Sequence, residues 1–276
     1  MKGSRQREYE VTGMELEQKA LKELLYLLAD DNLIHAYRGS EWLGLAPHIE
    51  EDVAFSSINQ DTMGHAKMYY QLLEELGEGK MDDLSHLRKP GEFRNAVLLE
   101  MANGTGTYLH KPNYDWAFTV VRHLFYAVFN QIRLESLSRS SYEPLAQTAG
   151  KILMEQYYHL LHWKTWFIQL MSSTKEARLR MENAIRRVWN EFFGVITLGP
   201  YGNGMAGCGL IDPEAKLEAV WLDEMAAIFR SVGFRQEGKP QMLHGDGRSG
   251  EHTEDLKEAL SILQEVYVSD QQAAYW

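Results

Sequence analysis

Three side chains occur twice in this sequence, in the same order and at the same spacing. Glu41, Asp61 and His65 are matched 94 positions later by Glu135, Glu155 and His159. In each set the second acid follows the first by 20 residues, and the histidine comes 4 residues after that. One acid on one helix, then an acid and a histidine on the next, twice over, is the outline of a four-helix bundle that holds two metal ions inside. Two more Asp/His pairs share the four-residue step, Asp31/His35 and Asp82/His86, but Val11 and Thr62 stand 20 residues before their acids. The doubled triplet predicts two helix hairpins related by an internal pseudo-twofold.

The rest of the pattern agrees with helices. Leu21, Leu24, Leu25 and Leu28 form an i, i+3, i+4, i+7 stripe within a helix over 15–42, which Gly44 and Pro47 end. A second helix spans 49–77, with Glu50, Glu51 and Asp52 at the positive end of its dipole and Gly77 as C-cap. Residues 78–111 are acid- and glycine-rich, with one short apolar segment at 95–101, and are predicted as a long crossover. The third and fourth helices are placed at 114–138 and 141–171. Ser173-x-x-Glu176 has the form of a capping box launching a fifth helix to Ile196. The glycine-rich stretch 198–210 is expected to be a flexible loop, and Asp212-Pro213 to start a sixth helix as N-cap and N1. A polar loop over 234–250 and a last helix over 253–268 complete the chain. Strand signals are nearly absent. The expectation is an all-α bundle in a single domain over 1–276, with its core at 15–171 and accessory helices at 174–268.

A net charge of −11 argues against a nucleic-acid or anionic-membrane surface, which would want a basic stripe. A single cysteine, Cys208, excludes an internal disulfide framework and fits a reducing compartment. The first residues lack the apolar core of a secretory leader, and no run of 18 apolar residues occurs. A cytoplasmic protein is expected.

Four residues of helix leave an acid and its histidine about 40° apart on one face, so Asp61/His65 and Glu155/His159 can enter one bundle interior. Carboxylate and imidazole together suit iron or manganese. Dimetal bundles, however, use Glu-x-x-His, and the residues three before His65 and His159 are Thr62 and Gln156. Acids one place earlier are turned about 100° from the ligand position, where they serve as hydrogen-bond partners of the imidazole. Two readings follow: an adapted metal site of Glu41, Asp61, His65, Glu135, Glu155 and His159, or a vestigial one. In the vestigial site the acids hold the histidines, and can do so crosswise between the second and fourth helices. His162, Tyr69-Tyr70 and Tyr157-Tyr158 are read as packing residues, Asp30-Asp31 and Asp82-Asp83 as solvated or capping charges, and Arg178, Arg180, Arg186 and Arg187 as a salt-bridged exterior. The glycines at 202–209 neither follow a strand nor open a helix as a phosphate loop does.

A resemblance runs through longer strings of residues. Ser40-Glu41-Trp42 with Gly44 and Ala46-Pro47, then Asp61-x-x-Gly64, Glu92-Phe93-Arg94-Asn95, Leu98-Leu99-Glu100 and Glu155-x-x-Tyr158-His159-Leu160 are similar to the C-subunit family of bacterial ring-1,2-phenylacetyl-CoA epoxidases. So are Gly247-Arg248-x-Gly250-x-His252-Thr253-Glu254 and the aromatic end at Trp276. The resemblance spans residues 20–276 and implies a ferritin-like fold. It also implies a related A subunit that carries the di-iron centre and binds the acyl-CoA, a reductase subunit and a small further subunit. This chain would then be the structural half, with no cofactor of its own. Thr62 and Gln156 agree with that loss; His65 and Glu135, still polar, depart from it.

Overall fold

The computed structural model describes the backbone of residues 2–273 and the side chains of residues 15–273. The fold is all-α. Four long helices, α1 (Lys2–Ser40), α2 (Ile49–Glu75), α5 (Trp116–Leu137) and α6 (Glu143–Ser172), form two hairpins joined by the connection 76–115. That connection carries α3 (Met81–His86), a 3₁₀ turn at Pro90–Glu92, α4 (Val97–Glu100) and an antiparallel hairpin of β1 (Gly104–Thr107) and β2 (His110–Tyr114). It is therefore more ordered than a bare crossover. The turn needs glycine: Gly106 has φ +80°, and a Cβ there would lie 2.2 Å from the Lys111 carbonyl oxygen.

The accessory elements are α7 (Lys175–Trp189), α8 (Phe193–Ile196), α9 (Gly202–Gly207), α10 (Glu214–Ser231), α11 (Glu254–Leu263) and α12 (Glu265–Ser269). Thr174, not Ser173, caps α7, its hydroxyl accepting from the Ala177 amide at 3.1 Å. At α10 the N-cap position falls to Pro213. Asp212 instead pairs with Lys216 (2.9 Å) and Arg139 (3.1 Å). The glycine-rich stretch is no flexible loop: Gly199–Tyr201 is a 3₁₀ turn and Gly202–Gly207 is α9. Small residues there admit α1, with Ala20 Cβ 3.6 Å from where a Gly204 Cβ would stand, and Met205 is buried. The buried helix is α5, which packs against α6, α7 and α10. Asp115 caps it by accepting from the Phe118 amide at 3.2 Å.

Asp30 and Asp31 correct the sequence reading: both are fully buried, neither solvated nor capping. Asp31 accepts from Arg248 (2.6 and 3.0 Å), Arg133 (2.8 Å) and the Ala96 amide (2.9 Å). Burial alone would raise its pKa, but the Arg248 and Arg133 guanidiniums outweigh that and hold it below the usual carboxylate value. Asp30 takes Tyr70 Oη (2.5 Å), the Arg94 amide (2.7 Å) and Arg88. Glu100, also fully buried, accepts from Asn95 (2.9 Å), His252 (2.7 Å) and both the amide and hydroxyl of Thr253. Charges removed from water need such complete pairing. The result is a polar latch that ties the connection and the C-terminal segment to α1. Asp82 and Asp83 lie in the first turn of α3, but the N-cap position is Lys80; Asp82 is exposed and Asp83 accepts from Tyr267 Oη at 2.7 Å. Among the described residues no helix is long and apolar enough to cross a membrane.

Candidate functional site

The two hairpins meet along α2 and α6, and the site lies between them. His65 Nε2 is 2.7 Å from Glu155 Oε2, and His159 Nε2 is 3.0 Å from Asp61 Oδ2. Each imidazole is thus held crosswise, by the acid of the other helix. The rings stand 6.1 Å apart. Both histidines are buried, whereas the acids reach solvent, Asp61 at 39% and Glu155 at 49% side-chain exposure. Burial pushes the His65 pKa down, against the opposing pull of the Glu155 hydrogen bond. Helical phase explains the division: the histidines lie on the core side of the seam and the acids, one turn earlier, on its rim.

Glu41 and Glu135 do not join this group. Glu41 lies just past the end of α1 and accepts from Arg38 (2.8 Å) and Asn103 (2.7 Å). Glu135 is exposed and accepts from Gln131 at 2.7 Å. The side chains that α1 and α5 bring to the interior are Asn32, His35, His123 and Asn130. Continuing the Leu21–Leu28 stripe by four and three residues reaches Asn32 and His35, so periodicity carries that signal and the acid spacing hides it. His123 and Asn130 are two of several polar side chains that α5 buries, with Thr119, Arg122, Arg133 and Ser136. His35 and His123 rings lie 4.2 Å apart, and burial drives both pKa values well below 6.5, helped by nearby Arg122.

These side chains, with Thr62, His65, Gln156 and His159, line a cavity of about 20 Å³, space for one water-sized sphere. The Thr62 hydroxyl donates to the Ile58 carbonyl at 2.7 Å. Gln156 accepts from Asn130 (2.9 Å) and donates to the Ala127 carbonyl (2.9 Å). Both residues at the Glu-x-x-His acid positions are therefore engaged elsewhere. No carboxylate lines the cavity, and no group of three or more His, Cys, Asp or Glu side chains among the described residues converges to hold a metal ion. Two iron ions call for anionic oxygen donors to balance their charge. A lining of amide, imidazole, hydroxyl and apolar side chains, with no carboxylate, does not fit a di-iron centre.

Removing one rim acid tests the seam. Asp61→Ala leaves the buried His159 without its hydrogen-bond partner, but water can enter where Asp61 is exposed. The expected loss is about 0.5–1.5 kcal/mol, below that of a fully buried unsatisfied donor. Urea unfolding of the variant reads it directly, and a loss above about 3 kcal/mol would mean that more than one hydrogen bond depends on Asp61.

His162 behaves as a packing residue, its Nε2 3.1 Å from Glu51 beside Trp163. Arg180 pairs with Glu176 (2.7 Å) and Arg178 with Glu182 (2.9 Å), as a salt-bridged face requires, but Arg178 also holds the Val232 and Gly233 carbonyls, Arg186 bonds Asn183, and Arg187 lies over the Phe118 ring at 3.9 Å. Tyr69 and Tyr70 are buried, but Tyr157 and Tyr158 are exposed and do not pack in the core.

The C subunit of the 1,2-phenylacetyl-CoA epoxidase of Escherichia coli (strain K12) is 29% identical over 245 residues, which is 86% of this chain and 92% of that protein. The profile of the family described as "Phenylacetic acid catabolic protein" matches residues 7–276. With a helical bundle, a crosswise acid–histidine seam and a match over almost its whole length, this chain belongs to the phenylacetic acid catabolic protein family.

Proposed function

We propose that this chain is a structural, non-catalytic subunit of a multicomponent phenylacetyl-CoA epoxidase. Oxygen activation in this reading belongs to a ferritin-like companion, the A subunit, whose intact Glu-x-x-His motifs hold the di-iron centre. A reductase and a further small component complete the assembly. The observation that carries the reading is the pair Thr62 and Gln156: both stand where ligand acids would be, both are uncharged, and both spend their hydrogen bonds on protein neighbours, Ile58, Asn130 and Ala127. The likeness to the C subunit of an epoxidase supplies the reaction. The motif residues that carry the family likeness, Arg94, Asn95, Glu100, Arg248, His252 and Thr253, are spent on the polar latch. They hold the fold together and touch no cavity where chemistry would occur at the seam.

The test is co-expression with the A subunit. The chain is expected to co-purify with it as a stable complex and, purified alone, to contain no stoichiometric metal. A chain that stays free at micromolar concentration beside the A subunit would defeat the proposal. Two iron ions per chain with oxygen consumption would establish the alternative, a self-sufficient dimetal oxygenase or oxidase. Bound iron or manganese without turnover would make it a metal-binding protein.

A further inference from the structure

Helix α6 has two faces that call for burial. Ile152, Gln156, His159, Trp163 and Phe167 face the core. On the opposite side Met154, Tyr157, Tyr158 and Leu161 fall at i, i+3, i+4 and i+7, one continuous stripe, and each is more than half exposed, Met154 at 69% and Tyr158 at 68%. A surface helix ordinarily carries its charges there. Here the charges of the segment, Lys151, Glu155 and Lys164, lie to the sides of the stripe. Across the seam, α2 also turns Ile49, Val53 and Met68 to solvent, with Gln60 and Lys67 between them on the same face.

Two glycines add an independent observation. Gly64 in α2 and Gly150 in α6 sit inside long helices, where glycine is destabilising, and a Cβ on either would meet nothing within 4 Å. Nothing among the described residues requires them. Both face outward, Gly150 one turn before Met154 on the same stripe. Glycine at such places lets another backbone approach closely.

We propose that the outer face of α2 and α6 is the docking surface for a helical face of the ferritin-like companion chain. This rests on the reading that such a companion exists. At roughly 150–250 Å² per whole aromatic side chain, the two tyrosines leave on the order of 200–300 Å² in water. With Met154, Leu161, Ile49 and Val53 the patch reaches the several hundred Å² that monomers seldom leave open, a large part of the ~800 Å² one partner gives to a standard interface. Two long antiparallel helices with open glycine positions suit another helix pair by ridges into grooves, rather than a peptide or a small molecule. Asp61 and Glu155, half exposed along the seam, ask the companion for arginine or lysine opposite them.

Binding of the A subunit to the purified chain tests this. Met154→Glu/Tyr158→Glu and, separately, Gly64→Leu are expected to weaken the complex by about 30-fold or more, as loss of a central hot spot does. The helical circular dichroism of the free variants should be unchanged. Gly64→Leu should also raise the melting temperature of the free chain, because it removes a helix glycine into open space. Ile262→Glu, an exposed apolar position on α11, should leave binding intact. Wild type and all variants binding alike would overturn the docking face and leave the structural-subunit reading standing. No binding by wild type would overturn both. A wild-type chain that self-associates through these same residues would make a second copy the occupant and overturn the proposal.

Discussion

Replacing Asp31 with alanine is expected to cost about 3–5 kcal/mol of stability, the largest single effect in the molecule. Arg133 and Arg248 are buried and share this carboxylate, and among the described residues no other acid pairs with both. Without it two guanidiniums lie uncompensated away from water, and the Ala96 amide loses its acceptor. The C-terminal segment should loosen first, since Arg248 anchors it to α1 alongside the Arg38 bond to the Asp255 carbonyl (2.7 Å). The other donors of Arg248 go to the carbonyls of Arg94, Val195 and Thr197. Denaturant unfolding with hydrogen exchange on residues 247–263 reads both effects. A loss under about 1 kcal/mol would contradict the view that the latch is a single charge-balanced unit.

Acid should weaken the fold well before carboxylates titrate. His35 and His123 are held neutral in the folded state, each with its pKa pushed well below 6.5, by burial first. In the unfolded chain they titrate near 6.5. Their contribution is fully present above that value and is lost as pH falls below it, because the unfolded chain gains protons that the folded chain refuses. Each costs about 1.4 kcal/mol per pH unit over the window, so the pair costs about 2.5–3 kcal/mol per unit at full slope. His65 shifts in the same direction and adds to the trend. Unfolding free energies between pH 7.5 and 5.5 should fall accordingly. His123→Leu should flatten that slope by about one proton even though it lowers stability at pH 7.5. A stability that stays level to pH 5 would contradict the neutral assignment.

The helices are legible in the sequence because each carries its own phase and its own stops. The Leu21–Leu28 stripe, the acids at 50–52 and the breaks at Gly44 and Gly77 are local signals, and the structure ends α1 and begins and ends α2 within a few residues of them, although α1 starts at Lys2, well before the predicted residue 15. The seam is legible for the same reason: Asp61/His65 and Glu155/His159 are one turn apart. The first acids of the two triplets fall outside it because spacing alone does not give azimuth. Glu135 is five residues past Asn130, which turns it about 140° away from the cavity, and Glu41 lies beyond its helix. The polar latch is illegible because its partners are distant in sequence. Asp31 meets Arg133 102 residues on and Arg248 217 residues on. A sequence shows two adjacent aspartates and cannot show what closes over them. Tyr157 and Tyr158 mislead in the opposite way, since aromatic residues are usually buried and these are covered by nothing among the described residues.

If His65 and His159 order the helix seam and take no part in oxygen chemistry, turnover should survive the loss of either ring. The measurement is epoxidation of phenylacetyl-CoA by the assembled complex carrying His159→Ala, normalised to the amount of complex formed. The predicted result is weaker assembly, by less than about 2 kcal/mol, with turnover per assembled complex and iron content equal to wild type. A stable, fully assembled His159→Ala complex that has lost its turnover would contradict this purely structural role.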